Sequence, residues 1–296
     1  MASTQDLKRR LRSISNTRKL TRAMELVASA RLRRAQQRIE AMRPYADRMG
    51  ELMAGTAKAA GAVRLPLLQR REIVKTVAIV PITGDRGMAG AFNAQVLRRA
   101  LALMRETQAE GHDVRFYASG KKAQSTLRFR RLPLAQAWTG FSDRPAYGDA
   151  QSIAHALAEA YENEEVDRVV LVYNAFVSPL VQRVTVSEVL PVPLEALREG
   201  SEAPTEHAHI VDFFYEPEPR EILARLLPVY VETEIYRALL ESAASEQGAR
   251  MTAMRNASKS AGELIDNLTL AMNRARQAEI TQEILEVVAG ADALTQ

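Results

Sequence analysis

Residues 237–296 read RALLESAASEQGARMTAMRNASKSAGELIDNLTLAMNRARQAEITQEILEVVAGADALTQ, and this stretch contains no Phe, Trp, Tyr or Pro. Strong helix formers dominate it. Small and apolar residues recur at alternating steps of three and four, the spacing of a coiled-coil seam; they are Ala261, Leu264, Leu268, Ala271, Ala275 and Ala278. The repeat predicts a long helix packed against a partner helix. A single amphipathic helix on a globular domain is the alternative.

The other end of the chain carries a second repeat of the same kind. Residues 1–43 contain no Pro, Gly or aromatic residue. Steps of four and three connect Ala28, Leu32, Ala35, Ile39, Met42, Ala46, Met49 and Met53. Two such helices at opposite ends of a chain pair most simply as an antiparallel coiled coil. A helix of fifty residues is about 75 Å long, so the pair is expected to project beyond any domain that the middle of the chain forms.

The first helix has an irregular apolar stripe. It begins with Leu7, Leu11 and Ile14. The positions that continue this stripe in phase are polar, namely Arg18, Thr21 and Glu25, whereas apolar residues occur at Leu20, Met24 and Val27. The pattern predicts that the apolar face changes here and that this segment contacts something besides its partner helix. Pro44 predicts a kink or an earlier end of the helix.

Composition and charge exclude some classes of protein and favour others. The chain of 296 residues has no Cys, which excludes disulfides, thiolate catalysis and Cys-based metal sites. It has no apolar run of the length that spans a membrane. Residues 1–48 hold thirteen basic and four acidic side chains, a net charge of +9. This excess favours an acidic partner, which could be nucleic acid, anionic lipid or an acidic protein surface.

The central residues alternate between two kinds of segment. Strands are predicted at 75–82, 113–118, 166–173, 181–189 and 210–215, and helices at 91–108, 120–127 and 146–164. The fourth strand is expected to run antiparallel to the third. Pro- and Gly-rich stretches at 133–148 and 190–209 are predicted as loops, and the final helix is predicted to start near Arg220, with Pro228 able to kink or interrupt it. The fold class is therefore α/β, a Rossmann-like central domain with a mostly parallel sheet, and the expected division is 1–61, 73–215 and 216–296.

The clearest candidate for chemistry is the glycine-rich stretch Gly84–Gly90, between the first strand and a helix. Such a loop can bind phosphate through backbone N–H groups. Its spacing matches neither the dinucleotide fingerprint nor the P-loop, so a tight turn is the favoured interpretation. His207 and His209 give a weak indication of a metal site. The sequence shows no catalytic triad or carboxylate pair, and we expect no cofactor, no metal and no catalytic residues.

Four motifs resemble the gamma subunits of F-type ATP synthases of the bacterial type. They are 22–28 (RAMELVA), 85–90 (DRGMAG), 245–251 (SEQGARM) and 275–284 (ARQAEITQEI). The resemblance runs through nearly the whole chain in order, and its end motifs are specific. The family often has Leu-Cys at Met88-Ala89, and its chloroplast members carry a regulatory Cys pair that this chain lacks.

The resemblance implies a function in rotary coupling. The coiled coil would be the central rotor stalk, which couples proton flow through a membrane ring to ATP synthesis or hydrolysis. One copy would turn inside a ring of three alpha and three beta subunits, beside the epsilon subunit and above the c-ring. The chain itself would be a non-catalytic subunit, held peripherally at the cytoplasmic side of the cell membrane.

The resemblance also implies an interface with the beta subunit. Matching family positions place in it Arg22, Met24, Glu246, Arg250, Arg276, Gln277 and Thr281. An acidic lever on beta would explain the charge of the first helix. Two other functions compete with this hypothesis. A nucleotide-using α/β enzyme would bind ATP or NAD through Gly84–Gly90, and a basic coiled-coil protein would bind nucleic acid with a steep salt dependence.

Overall fold

A computed structural model describes residues 4–61, 65–193 and 217–294. Two long helices flank alternating strands and helices, as the sequence predicts. In chain order the elements are α1 (Thr4–Ala60), a short 3-10 turn (Pro66–Leu68), β1 (Thr76–Pro81), α2 (Phe92–Ala109), β2 (Asp113–Ser119), α3 (Lys121–Phe129), β3 (Leu134–Trp138), α4 (Tyr147–Glu162), β4 (Arg168–Phe176), β5 (Gln182–Leu190) and α5 (Pro219–Leu294). The strand predicted at 210–215 lies outside the described residues.

Both long helices continue through their internal prolines, Pro44 in α1 and Pro228 in α5. An early end of the first helix and an interruption of the last one are therefore wrong, whereas a kink at either proline stays a prediction. The segment 133–148, predicted as a loop, contains β3. Its sequence, LAQAW, is poor in strand-forming residues, and pairing with β2 rather than local propensity accounts for the strand.

The five described strands form one sheet in the order β3-β2-β1-β4-β5. β3, β2, β1 and β4 are parallel to one another, and β5 runs antiparallel to β4, as predicted. One face of the sheet packs against α2 and α3. The other face packs against α4 and against apolar side chains of both long helices, among them Met53, Leu227 and Ile235. The sheet is therefore covered on both faces, the usual state of a parallel sheet.

The chain forms two compact units. One contains Met1–Ala28 and Arg250–Gln296, and the other contains Ser29–Ala249. In the first unit, Glu25 bonds to Arg255, and the guanidinium of Arg18 lies next to Gly262. Moving seven residues toward the N-terminus of α1, from Glu25 to Arg18, corresponds to moving seven residues toward the C-terminus of α5, from Arg255 to Gly262. The two helices are therefore antiparallel. The division into 1–61, 73–215 and 216–296 stays a prediction.

The seam of α5 is shifted from the predicted one. Ala261 is buried and Leu268 and Ala275 are half-buried, as expected, but Leu264 is 51% exposed and Ala271 and Ala278 are exposed. Ala261, Leu268 and Ala275 belong to both the predicted and the observed seam, and the half-buried apolar side chains between them are Ile265 and Met272. Both spacings repeat every 3.5 residues from Ala261, and the sequence offers apolar side chains to each of them. The structure selects the one that buries the larger side chains.

The seam of α1 stays in phase along the helix. Every position of the repeat from Ala28 to Met53 is buried or half-buried. The stripe that begins at Leu7 continues through half-buried Thr21 and buried Glu25, whereas Leu20 and Val27 are more than half exposed. The buried seam thus keeps its phase at Thr21 and Glu25, although Arg18 is exposed and Met24 of the alternative face is half-buried. Contact of this segment with something besides its partner helix stays a prediction. A buried carboxylate occupies a position where an apolar residue was expected.

Candidate functional site

The loop after β1 is held by its own carboxylate. Asp85 accepts hydrogen bonds from the backbone N–H groups of Lys121 at 2.9 Å, Gly140 at 2.9 Å and Ser142 at 3.1 Å. Lys121 is the first residue of α3. The carboxylate thus lies at a helix N-terminus, the position that a phosphate takes in nucleotide-binding proteins. Within this loop the protein supplies the anion itself.

A second carboxylate, from α5, lies against the same loop. Glu246 is only 1% exposed, and a Cβ added to Gly84 would lie 2.7 Å from its carboxylate carbon. No ordinary contact between carbon atoms is that short, so the approach of Glu246 requires glycine at position 84. The N–H of Gly84 donates to Oδ1 of Asn93 at 2.8 Å, which fixes the loop on α2.

The residues on either side of Glu246 also bind the domain. The hydroxyl of Ser245 donates to the carbonyl oxygen of Asn174, in β4, at 2.9 Å. The amide nitrogen of Gln247 donates to Oδ1 of Asp143 at 3.2 Å. Ser245, Glu246 and Gln247, which we call the polar plug, are all almost fully buried. They are consecutive residues of a helix, so their side chains contact three different parts of the domain.

The polar plug lies where this topology usually binds ligands. In the order β3-β2-β1-β4 the chain reverses its direction of winding between β1 and β4, and nucleotides bind at the carboxyl ends of the strands beside such a point. Here Gly84 follows β1, Asn174 lies near the end of β4, and the plug contacts both. The sequence identified the glycine loop and Glu246 separately, and no sequence signal linked them.

Glu25 is the center of a charged cluster in the other unit. Its Oε1 accepts from Nε of Arg255 at 3.0 Å, and its Oε2 accepts from Arg22 at 3.0 Å. The hydrogen bond from Arg255, with a further contribution from Arg22, lowers the pKa of Glu25 despite its burial. This pairing explains how a carboxylate can occupy the seam of a coiled coil.

The interface residues implied by the resemblance differ in their exposure. Arg276, Gln277 and Thr281 are exposed, and the hydroxyl of Thr281 donates only to the backbone oxygen of Gln277. Met24 is half-buried, and the Arg22 side chain is 65% exposed while it pairs with Glu25.

The other two implied residues, Glu246 and Arg250, are buried, and the structure thus divides the predicted set into a buried and a more accessible group. The accessible group has exposed apolar neighbours, Leu20 and Leu26 in α1 and Ile280 and Ile284 in α5. Among these four, the sequence pattern had indicated only Leu20 as a contact to something besides the partner helix.

The part of the chain that the structure describes has neither a metal-binding cluster nor a membrane-spanning helix. No three His, Cys, Asp or Glu side chains come together there in a way that could hold a metal ion. None of the helices described is both long enough and apolar enough to cross a membrane. His207 and His209 lie outside the described residues.

Fold and site together define the class of protein. It is an α/β domain of dinucleotide-binding topology whose ligand position is filled by its own C-terminal helix, and that helix continues into an antiparallel coiled coil. A family model described as "ATP synthase" matches residues 3–294. The chain belongs to the ATP synthase gamma chain family.

Individual relatives match this chain over most or nearly all of its length. The ATP synthase gamma chain of Rubrobacter xylanophilus is 48% identical over 99% of both chains. Among solved structures, the central stalk and c-ring structure of the Tetrahymena thermophila mitochondrial ATP synthase has a chain that is 27% identical, with a TM-score of 0.58, covering 81% of this chain and 99% of that one. A chain of the Euglena gracilis mitochondrial ATP synthase in rotational state 3 shares the fold with a TM-score of 0.69 at 19% identity, covering 98% of this chain and 94% of that one.

Proposed function

We propose that this chain is the central rotor stalk of an ATP synthase, coupling proton flow through a membrane ring to ATP synthesis or hydrolysis. The observation that carries the proposal is the continuity of α5. One helix from Pro219 to Leu294 holds the polar plug in one unit and half of the coiled coil in the other. A mechanical subunit needs such an element, because torque applied to the α/β domain must reach the tip of the coiled coil without a joint.

In this mechanism the polar plug fixes α5 to the α/β domain. Ser245, Glu246 and Gln247 lock α5 onto the loop after β1, onto β4 and onto Asp143. We therefore assign Glu246 a positioning role, in which it keeps the helix from slipping on the domain. Arg250, one turn further along α5, belongs to the coiled-coil unit.

The accessible group is proposed to contact the catalytic ring. Arg22 and Met24 of α1 would face an acidic lever of the beta subunit, with exposed Leu20 and Leu26 beside them. On α5, Arg276 and Gln277 offer hydrogen-bond donors on an exposed helix face. A shaft with such unequal faces gives each of the three surrounding catalytic sites a different contact. Rotation would thus change their affinities for nucleotide in turn.

The proposed partners follow from this role. They are three alpha and three beta subunits per copy of the chain, an epsilon subunit and the membrane c-ring. The chain would perform no chemistry, and it would be held at the cytoplasmic side of the cell membrane through the complex. The two carboxylates at the Gly84 loop argue against the competing function of nucleotide binding there, because a phosphate at this place would meet negative charge.

The test is isolation of the complex from native membranes through a tag on this chain, with mass determination of the intact assembly at moderate salt. The expected particle contains one copy of the chain with three copies each of two larger subunits, and it hydrolyses ATP. Recovery of the chain alone, or with nucleic acid, would refute the proposal. Single-particle rotation of the isolated complex during ATP hydrolysis then tests the mechanical role directly.

A further inference from the structure

A basic cavity of about 230 Å³ lies in the unit of residues 29–249. Four of its side chains come from α1, and the three arginines among them are spaced by three and four residues, so they share one face of the helix. The rest come from the loop before α4 and from α5. The lining residues are Arg31, Arg34, Ala35, Arg38, Asp143, Arg144, Pro145, Leu240 and Ala243.

The cavity has a large excess of positive charge. Four arginines line it against a single carboxylate, that of Asp143. This carboxylate is already engaged, because it pairs with Arg31 at 2.7 Å and Arg86 at 3.5 Å and accepts a hydrogen bond from Gln247.

The remaining three arginines, Arg34, Arg38 and Arg144, make no side-chain hydrogen bond or ion pair with any residue that the structure describes. Like charges that line one space repel one another, and a bound anion would offset this repulsion.

We propose that this cavity binds a small phosphate-type oxyanion, of the size of inorganic phosphate or pyrophosphate. The planar fork of a guanidinium matches two phosphate oxygens at once, and here several forks converge from two elements on one concave space. The volume exceeds that of a single water molecule or chloride ion. The remaining lining residues, Ala35, Pro145, Leu240 and Ala243, add no charge that would compete with the arginines.

The shape of the site favours a small anion over a protein surface. A flat acidic partner would contact the exposed basic residues along α1, but these arginines line a concave space to which the loop before α4 and α5 also contribute. Arg34 and Arg144 are exposed there, whereas Arg31 and Arg38 are half-buried. The proposal does not depend on the rotary function. The same phosphate groups could come from the free anion or from the end of a nucleotide.

The experiment is calorimetric titration of the full-length chain with pyrophosphate, phosphate, sulfate and ADP at low ionic strength. We expect binding of one pyrophosphate per chain, and at least about tenfold weaker binding in Arg38→Ala and in Arg144→Ala. Arg34→Lys keeps the charge but loses the fork, so a loss of several-fold is expected. Arg130→Ala, which removes an exposed arginine of the same unit outside the cavity, is the matched control. Circular dichroism verifies that each variant is folded.

The outcomes separate the possibilities. If ADP binds as pyrophosphate does and is weakened by the same variants, the site recognises terminal phosphates from either source. Equal losses in Arg130→Ala and in the cavity variants would mean nonspecific attraction by net charge and would overturn the proposal. Binding of an acidic peptide without binding of any phosphate would overturn it too. ADP binding that the cavity variants do not change would point to the Gly84 loop instead, and would also refute it.

Discussion

Gly84→Ala tests whether the polar plug holds α5 on the domain. The added methyl group would lie 2.7 to 2.8 Å from the carboxylate atoms of Glu246, whereas such atoms pack at about 3.5 Å or more. The carboxylate must therefore move by close to 1 Å, which removes a buried charged group from its partners. The expected loss is about 1–3 kcal/mol in the free energy of unfolding.

Trp138, the only tryptophan, reports this directly because it lies in β3 of the same unit. Urea unfolding followed by its fluorescence gives the stability of the domain in Gly84→Ala, in Glu246→Ala and in the double variant. Because the first change acts through the second residue, the double variant should lose at least about 1 kcal/mol less than the sum of the single losses.

Gly50→Ala is the control for this cycle, because a Cβ at Gly50 of α1 meets nothing within 4 Å. It should leave stability unchanged or raise it by up to about 1 kcal/mol, since alanine favours helix. The reasoning is refuted if Gly84→Ala unfolds at the same urea concentration as the native chain. Strictly additive losses in the double variant would also refute it.

Three further predictions concern other parts of the chain. Glu25→Gln should destabilise the coiled coil at pH 7 by only about 1 kcal/mol, since both arginine partners are more than half exposed. Because the pKa of Glu25 is lowered in the folded chain, this loss of stability should persist above the ordinary glutamate pKa and fade as the pH falls through the pKa of the folded state. Equal shifts of the melting temperature at pH 7 and pH 3 would contradict this prediction. Gly120→Ala, at φ +94° with its Cβ 2.0 Å from the Thr83 carbonyl oxygen, should destabilise the domain by about 3 kcal/mol or more, and a native urea midpoint would refute this. Arg276→Ala with Gln277→Ala should lower proton pumping per ATP several-fold in membrane vesicles while the complex still assembles, and normal pumping would exclude the proposed contact.

The sequence predicted the layout of the fold well because periodicity is a local signal. Residue spacing alone predicted both long helices, the helices of the α/β domain and the antiparallel β5. The seam of α5 did not, because Leu264 and Ile265 are adjacent apolar residues and a repeat of 3.5 accepts either one. Only the contacts with the partner helix distinguish them.

The candidate site shows a different limit of sequence reasoning. The burial of Glu25 was not predicted, because a charged residue interrupts the apolar stripe there and its partner, Arg255, lies 230 positions away. Glu246 and Gly84 are likewise joined only by the tertiary fold. Interactions between distant side chains leave no periodic pattern in one sequence, so motif resemblance could identify such residues without indicating what they touch.

The pairing within the coiled-coil unit makes its length adjustable in fixed increments. Glu25 with Arg255 and Arg18 with Gly262 are separated by seven residues on each helix. Seven residues inserted into both helices at matching levels would therefore extend the coil by about 10 Å and return every later side chain to its original face. An insertion of two or five residues would instead turn the tip to a different face relative to its base, so whole heptads are length changes that keep the same side chains facing outward.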